Sequence, residues 1–223
     1  MPPAEFPTDS RLGPPGESET VAPLWRRGEP VPDLWLRPEL ATERAPDRFI
    51  AVFDTTKGEF VVRVERDWAP QGADRFFNLV RIGFYTDIAV FRAIPGFMVQ
   101  FGIHGVPEVN AAWKDARIPD DTTHESNVRG TVVFAMAGPG TRTVQLFVNT
   151  VDNSRLDNMG FTPLGEVVQG MDVVDSLYTG YGEGEPRGKG PSQSELQTRG
   201  NDYVRAGFPE LDYIKTVRLA PGN

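Results

Sequence analysis

Residues 91–102 read FRAIPGFMVQFG, and this stretch indicates more about the fold than any other. It places one arginine, Arg92, and one amide, Gln100, in an apolar run that a Pro-Gly turn divides. A second apolar run, TVQLFV at residues 143–148, also carries a lone amide, Gln145. If the two runs form neighbouring strands, they make an apolar surface with one fixed positive donor. That surface suits a ligand with an apolar ring and a hydrogen-bond acceptor.

Arg92 has two interpretations. A guanidinium cannot lose its proton, so a buried one needs either an ion-pair partner or a function. Arg92 is then either a structural arginine of the sheet paired with a carboxylate, or the positive donor of a functional site. The sequence around it favours the second interpretation.

The composition argues against several classes of protein. The chain has 223 residues, with 23 basic and 31 acidic side chains and a net charge of −8. A general nucleic-acid or anionic-membrane binder needs a basic face instead. Cysteine is absent, which excludes disulfides, thiol nucleophiles and thiolate metal sites.

Metal, phosphate and membrane sites are not expected either. The two histidines, His104 and His124, lack the spacing of metal ligands. The Gly-Xaa-Gly patterns of residues 180–190 lack the flanking strand and helix of a nucleotide-binding loop. No apolar stretch approaches the roughly 18 residues of a membrane span. Residues 1–20 lack the apolar region of a signal peptide, so the compartment is cytoplasmic as given, or secreted or periplasmic for a processed chain.

The chain divides into an extension and a domain. Residues 1–48 hold ten of the 20 prolines and form a Pro-rich extension, whose first half we expect to be disordered. Its second half has a candidate short helix at residues 38–42 and carries apolar side chains that we expect to pack on the body: Trp25, Leu34, Trp35, Leu36 and Leu40.

Residues 49–223 form the domain. Residues 50–53 and 59–64 predict a strand hairpin, and Ala69-Pro70 opens a helix that ends at Gly83. Its buried face is predicted from the i, i+3, i+4, i+7 spacing of Ala73, Phe76, Phe77 and Val80. Later predicted elements are short strands through residue 165, a helix at 171–178, a Gly/Pro-rich loop at 180–191, a short polar helix at 194–198 and a strand at 213–219. Many short strands with two helices favour a closed antiparallel barrel.

At this point the chain resembles the cyclophilins, the peptidyl-prolyl cis-trans isomerase family, in a divergent, bacterial-like form. The resemblance covers residues 50–178 and extends to about 219. It is carried by seven ordered segments: residues 53–58, the helix after Ala69-Pro70, and residues 91–100, 124–127, 134–139, 145–147 and 164–171. It implies a mainly β fold, a closed eight-stranded antiparallel barrel capped by two helices.

The resemblance also implies roles for individual residues. The catalytic arginine falls on Arg92, and the glutamine that supports it falls on Gln100. The substrate-binding positions, which include the pocket for the proline ring, fall on Phe97, Met98, Ala135, Gln145, Phe147, Leu156 and Phe161. From the residues alone, the apolar members of this set could equally be plain core, as most aromatic side chains are.

Three positions depart from the family pattern. The usual tryptophan is Arg155, the usual histidine is Phe161, and the common asparagine after Ala135 is Met136. These changes bear on rate, peptide preference and cyclosporin affinity. They leave Arg92 in place.

The resemblance implies an isomerase of Xaa-Pro bonds that needs no cofactor. Its partners would be proline-containing peptides and unfolded proteins, and we expect a monomer. The main alternative is a catalytically weak proline-peptide-binding chaperone or scaffold. A third hypothesis is that the Trp-bearing extension docks a partner or covers the site.

One hypothesis goes beyond the resemblance. Arg142 and Arg155 are predicted at the rim of the pocket that holds Arg92, on a protein of net charge −8. A locally positive site would favour peptides with acidic residues flanking the proline.

Overall fold

The computed structural model describes residues 25–26, 28–122 and 125–220. The disorder expected for the first half of the extension therefore falls outside the described residues, as does His124. Most of the described chain folds around one antiparallel β-sheet. Its strands are β1 (Arg48–Thr55), β2 (Gly58–Glu65), β3 (Ile88–Ala89), β4 (Arg92–Ile94), β5 (Met98–Phe101), β6 (Thr131–Phe134), β7 (Leu146–Asn149), β8 (Pro163–Gln169) and β9 (Tyr213–Leu219).

Helices cover parts of this sheet. The α-helices in the described residues are α1 (Pro70–Arg81), α2 (Pro107–Trp113), α3 (Met171–Ser176), α4 (Gln193–Arg199) and α5 (Asn201–Gly207). Short 3-10 helices span Asp33–Leu36, Pro38–Leu40 and Ser154–Met159. The fold is mainly β with a curled antiparallel sheet and helices, as the sequence predicts.

Two expected details are wrong: the closed barrel, which the strand pattern predicted and the resemblance implied, and the eight strands that the resemblance implied. The sheet has nine strands in the order β3-β9-β1-β2-β8-β6-β7-β5-β4, and no ladder in the described residues joins its two ends. The end strands β3 and β4 follow each other in the chain, but one pairs with β9 and the other with β5. Between them the Val90 N–H bonds the Asp212 carbonyl instead, at 2.9 Å. The sheet is therefore curled but open.

The described residues form five α-helices. Three were predicted, α1, α3 and α4, whereas α2 and α5 were not. Helices α2 and α5 are seven residues each and bury only two side chains apiece. Two buried side chains are too few to show the 3.6-residue period of a helix in the sequence. The predicted helix at 171–178 ends at Ser176, where Leu177 takes up an extended backbone.

The core lies on the inner face of the sheet and beneath α1. Pro70 occupies the first turn of α1, where its missing N–H costs no hydrogen bond. Phe76 of this helix stacks on Phe53 of β1 at 6.0 Å between ring centroids, and Phe53 stacks on Phe60 of β2 at 4.4 Å. The predicted helix face is confirmed, with Phe77 only half-buried.

The segment before β1 contributes one tryptophan to the core. Trp35 is 2% exposed, and its Nε1 donates to the Ile82 carbonyl at 2.7 Å. Its own carbonyl accepts a hydrogen bond from Trp113 Nε1 at 2.7 Å. Packing against the body is thus confirmed for Trp35 and, half-buried, for Trp25. It is wrong for the leucines, which are 39–48% exposed because the short 3-10 turns bury little beyond one side chain: Leu34, Leu36 and Leu40.

We predict that Trp35→Ala lowers the free energy of unfolding by about 3–5 kcal/mol, the usual cost of truncating a buried aromatic residue. Urea denaturation measures this change. Leu34→Ala is the matched control, since Leu34 is 48% exposed and its loss should cost less than about 0.5 kcal/mol. Equal effects of the two substitutions would show that Trp35 does not anchor the segment.

His104 is a neutral core residue. It is fully buried between Trp35 and Phe84, with ring centroids 4.7 and 5.1 Å away. Its Nδ1 accepts a hydrogen bond from the Val106 N–H at 3.0 Å. Burial lowers the pKa of His104 to about 3, so the imidazole carries no charge at neutral pH.

We predict that this burial makes stability depend on pH. An unfolded histidine titrates near pH 6.5, so between pH 6.5 and 3 the unfolded chain binds more protons than the folded one. The free energy of unfolding should therefore fall as the pH falls below 6.5, by up to about 1.4 kcal/mol per unit. Urea denaturation between pH 7 and 5 measures this slope before the carboxylates titrate. His104→Asn keeps an acceptor for Val106 and should flatten the slope; an unchanged slope would contradict the assignment.

Candidate active site on the outer face of the sheet

The alternation of side chains along four neighbouring strands separates the core from the site. In β5, Val99 and Phe101 point into the main core, whereas Met98 belongs to a separate outer cluster. The same alternation holds in β7, where Leu146 and Val148 face the core and Phe147 faces outward. Successive residues of a strand must point to opposite faces. The predicted site positions therefore share the outer face.

Strand register then aligns the polar residues into one row. Arg92 lies opposite Gln100 in the β4–β5 pair, and Gln100 lies opposite Phe147 in the β5–β7 pair. Arg92 Nη1 donates to Gln100 Oε1 at 2.9 Å, and Gln100 Nε2 donates to Gln145 Oε1 at 2.9 Å. The backbone carbonyl of Gln145 accepts a hydrogen bond from the Ala135 N–H at 2.9 Å. This chain of hydrogen bonds orients the guanidinium.

An apolar cluster adjoins this polar row. Its members are outward-facing residues that do not belong to the main core: Met98, Val133, Phe147 and Leu156, with Ile94, Phe97, Ala135 and Phe161 packed against them. The rings of Phe147 and Phe161 meet edge to face at 5.7 Å. Phe161 thus forms a wall of the apolar cluster, and Arg155 covers the Phe97 ring at 4.9 Å.

Buried and half-buried polar residues hold the segment that carries Leu156 and Phe161. The Asp157 carboxylate accepts hydrogen bonds from Ser126 Oγ at 2.6 Å and from the side chain and backbone of Asn127 at 2.7 and 2.8 Å. Asn127 Nδ2 also donates to the Phe161 carbonyl at 2.8 Å. Burial opposes ionisation of Asp157, but these hydrogen bonds outweigh it and lower the pKa of the carboxyl. The 3-10 helix Ser154–Met159 is therefore tied to the body of the protein.

Arg92 also has a partner that the sequence did not reveal. Glu183 accepts hydrogen bonds from Arg92 Nε and Nη2, each at 2.7 Å, in a bidentate ion pair. The hydrogen bond from Arg92 is the main cause that lowers the pKa of Glu183. Arg92 is thus paired with a carboxylate, as the first of its two interpretations expects. The side chains of Arg92 and Glu183 are still 21% and 30% exposed, so the pair faces solvent.

One groove of about 730 Å³ joins these parts. All nine predicted site residues line it, from Arg92 and Gln100 to the apolar positions and Gln145. Sequence reasoning missed further lining residues, which come from the segment around α2, the 136–143 segment and the stretch from 183 to 197: Lys114, Arg117, Met136, Ala137, Thr141, Thr143, Glu183, Arg187, Gln193 and Gln197. None of the described residues of the extension lines the groove.

The predicted rim arginines need correction. Arg142 is 2% exposed and forms an ion pair with Asp121 at 3.0 Å, so it is a buried structural residue. Arg155 lies over Phe97 but does not line the groove. The positive charges of the groove instead include Lys114, Arg117 and Arg187, which are all exposed.

Two other kinds of feature are not found among the described residues. No group of three or more His, Cys, Asp or Glu side chains lies close enough together to hold a metal ion. No helix in this part of the chain has the length and apolar character needed to cross a membrane.

The curled antiparallel sheet with its covering helices defines the class of fold, and known proteins share this fold. A family model for the cyclophilin type peptidyl-prolyl cis-trans isomerase/CLD matches residues 50–193. Peptidyl-prolyl cis-trans isomerase B of Escherichia coli (strain K12) is 33% identical over 136 residues, which are 57% of this chain and 83% of that protein.

Further relatives agree. A peptidyl-prolyl cis-trans isomerase of Acinetobacter baylyi is 32% identical over 131 residues, or 55% of this chain and 68% of that protein. The crystal structure of a Cryptosporidium parvum cyclophilin type isomerase superposes with a TM-score of 0.59 at 16% identity, over 79% of this chain and 99% of that one. The chain belongs to the cyclophilin-type peptidyl-prolyl cis-trans isomerase family.

Proposed function

We propose that the groove binds a proline-containing peptide and accelerates rotation about its Xaa-Pro bond, with Arg92 as the catalytic donor. The observation that carries this proposal is the juxtaposition of the Arg92–Gln100–Gln145 row with the apolar cluster around Phe147. The related Cryptosporidium structure was also determined in the presence of the dipeptide Ala-Pro. Such a dipeptide has the ring and the carbonyl acceptors that this groove matches.

The apolar residues would hold the proline ring. Met98, Phe147 and Leu156 are at most 5% exposed and form the base of the cluster, while Phe97 and Phe161 are half-buried. Fixing the ring at one end of the bond leaves the other end free to turn. Ala135 presents a small side chain beside this pocket and leaves room for the peptide backbone.

Arg92 would act on the bond itself. The planar amide resists rotation by about 18–20 kcal/mol because of its partial double-bond character. Twisting localises a lone pair on the prolyl nitrogen, and a guanidinium N–H beside that nitrogen stabilises the twisted state more than the planar one. A preorganised donor of this kind is worth roughly 3–4 kcal/mol, or two to three decades in rate. No nucleophile or general base is needed.

In the cell, this activity would assist the folding of unfolded client proteins, and we expect the protein to act as a monomer. The alternative is a barrel-like module that binds proline peptides but isomerises them poorly. Arg155 and Phe161 are the substitutions that favour that alternative. The row of hydrogen bonds on Arg92 favours catalysis.

We predict that Arg92→Ala lowers the catalysed cis/trans exchange of a short Xaa-Pro peptide by roughly 10²–10³-fold, since the transition state loses its donor. NMR exchange spectroscopy measures this without a coupling protease. Arg218→Ala is the matched control, since Arg218 is a half-exposed arginine of β9 paired with Glu59 outside the groove. Peptide shift changes without acceleration by the wild type would identify a binding module instead.

We predict that the groove turns over Glu-flanked proline peptides faster than Lys-flanked ones at low salt. Lys114, Arg117 and Arg187 surround a groove that holds a single carboxylate, Glu183, among its lining residues. The preference should shrink as salt shortens the Debye length from about 30 Å at 0.01 M to about 10 Å at 0.1 M. Arg117→Gln should reduce it, whereas Lys215→Gln, outside the groove, should not. Equal turnover of the two peptides at low salt would refute a positive groove.

A further inference from the structure

Glu183 belongs to the segment between α3 and α4, and it reaches the groove from 91 positions beyond Arg92. Its carboxylate accepts from Arg92 Nε and Nη2, while Gln100 accepts from Nη1. A guanidinium has five N–H donors. Each terminal nitrogen of Arg92 therefore keeps one N–H that bonds no acceptor in the described residues. Glu183 and Gln100 thus hold the guanidinium on two sides, and two of its N–H groups remain available to a ligand.

The carboxylate is fixed in place by its own loop. The Gly184 N–H donates to Glu183 Oε1 at 2.9 Å, and the Gly190 N–H donates to the Glu183 carbonyl at 2.8 Å. A Cβ at Gly188 would lie 2.3 Å from that same carbonyl oxygen. The glycines thus let the loop fold tightly around the Glu183 backbone. The glycines of the 180–191 loop therefore serve to pack the backbone closely around Glu183.

The loop is also attached to the rest of the protein just before Glu183. Gly182 forms an antiparallel bridge with Ala93, the residue that follows Arg92 in β4. Tyr181 packs edge to face on Phe208 at 5.1 Å. It also packs against a second apolar cluster, distinct from the one at the groove, that includes Phe91. Ala93 therefore pairs with the residue before Glu183, and Phe91 belongs to the apolar cluster on which Tyr181 packs. The two charged side chains have little freedom to separate.

We propose that Glu183 is a positioning residue of the site: it holds the Arg92 guanidinium opposite Gln100 so that the remaining N–H groups face the prolyl amide. This inference rests on the proposed function. A freely moving carboxylate would compete with the substrate for Arg92 and inhibit. Here the carboxylate occupies the Nε–Nη2 edge, and the groove beside the pair stays open. The bidentate geometry fixes the plane of the guanidinium as well as its position.

The test compares Glu183→Ala and Glu183→Gln with the wild type by NMR exchange spectroscopy over a range of peptide concentrations. We expect Glu183→Ala to lower kcat by about tenfold with little change in peptide affinity, because an interaction that acts in the transition state is lost. Glu183→Gln keeps one acceptor and should lose only about threefold, as neutral hydrogen bonds are weaker than charged ones. Glu185→Gln removes one negative charge from the same loop outside the groove and should leave the rate unchanged.

A second measurement reports on the contact without substrate. The Nε–H resonance of Arg92 should exchange slowly with water in the wild type and in Glu185→Gln, and rapidly in Glu183→Ala. If Glu183→Ala is as fast as the wild type or faster, the positioning role is overturned and the carboxylate is idle or inhibitory. If the wild type itself does not accelerate exchange, the proposed function fails and the positioning role fails with it. Acceleration by the wild type without an effect of Glu183 overturns the positioning role alone.

Discussion

The strict two-residue alternation of β5 and β7 governs the rest of this structure. Val99, Phe101, Leu146 and Val148 are buried in the main core, and that burial forces the residues between them onto the outer face. A one-residue slip of either strand would exchange the two sets. The core therefore determines where the site residues point, and a separate apolar cluster on the opposite face, with Met98, Phe147 and Leu156, forms the base of the groove.

Hydrogen bonds between the outward-facing polar side chains fix the orientation of Arg92. Antiparallel register brings Arg92 and Gln100 together across the β4–β5 hairpin, and the hydrogen bond to Gln145 continues the row to the residue that precedes β7. A guanidinium with partners on defined sides loses little freedom when a ligand arrives, which is the physical meaning of preorganisation. Glu183 extends the same principle from a different part of the chain. Further positive charges at the groove, Lys114 and Arg117, follow α2, and Arg187 lies on the loop after Glu183. They offset the negative charge of Glu183.

The candidate site shows how far pattern reasoning reaches. Arg92 and Gln100 were predictable because they lie eight positions apart in one hairpin, where the Pro-Gly turn determines which residues face each other. Phe97, Met98 and Phe147 followed from the same two runs and from the family resemblance. Arg142 was placed wrongly at the rim, because it is buried and forms an ion pair with Asp121. The sequence alone does not show that Arg142 pairs with a carboxylate whereas Arg155 stacks on Phe97. The open nine-stranded sheet was missed since a two-residue strand such as β3 leaves no periodic signal.

The sequence by itself determined the antiparallel sheet, the helix α1, and the outward row of one arginine, two amides and the apolar pocket. These features depend on local periodicity and on turns, which act over a few residues. Only the tertiary structure decided which charges surround that row. Glu183, Arg187 and Arg117 come from segments that are far apart in the chain, and their positions follow from loop packing around glycines and from helix docking. Electrostatic partners of this kind depend on distances in space, because a Coulomb interaction is set by separation and solvent exposure.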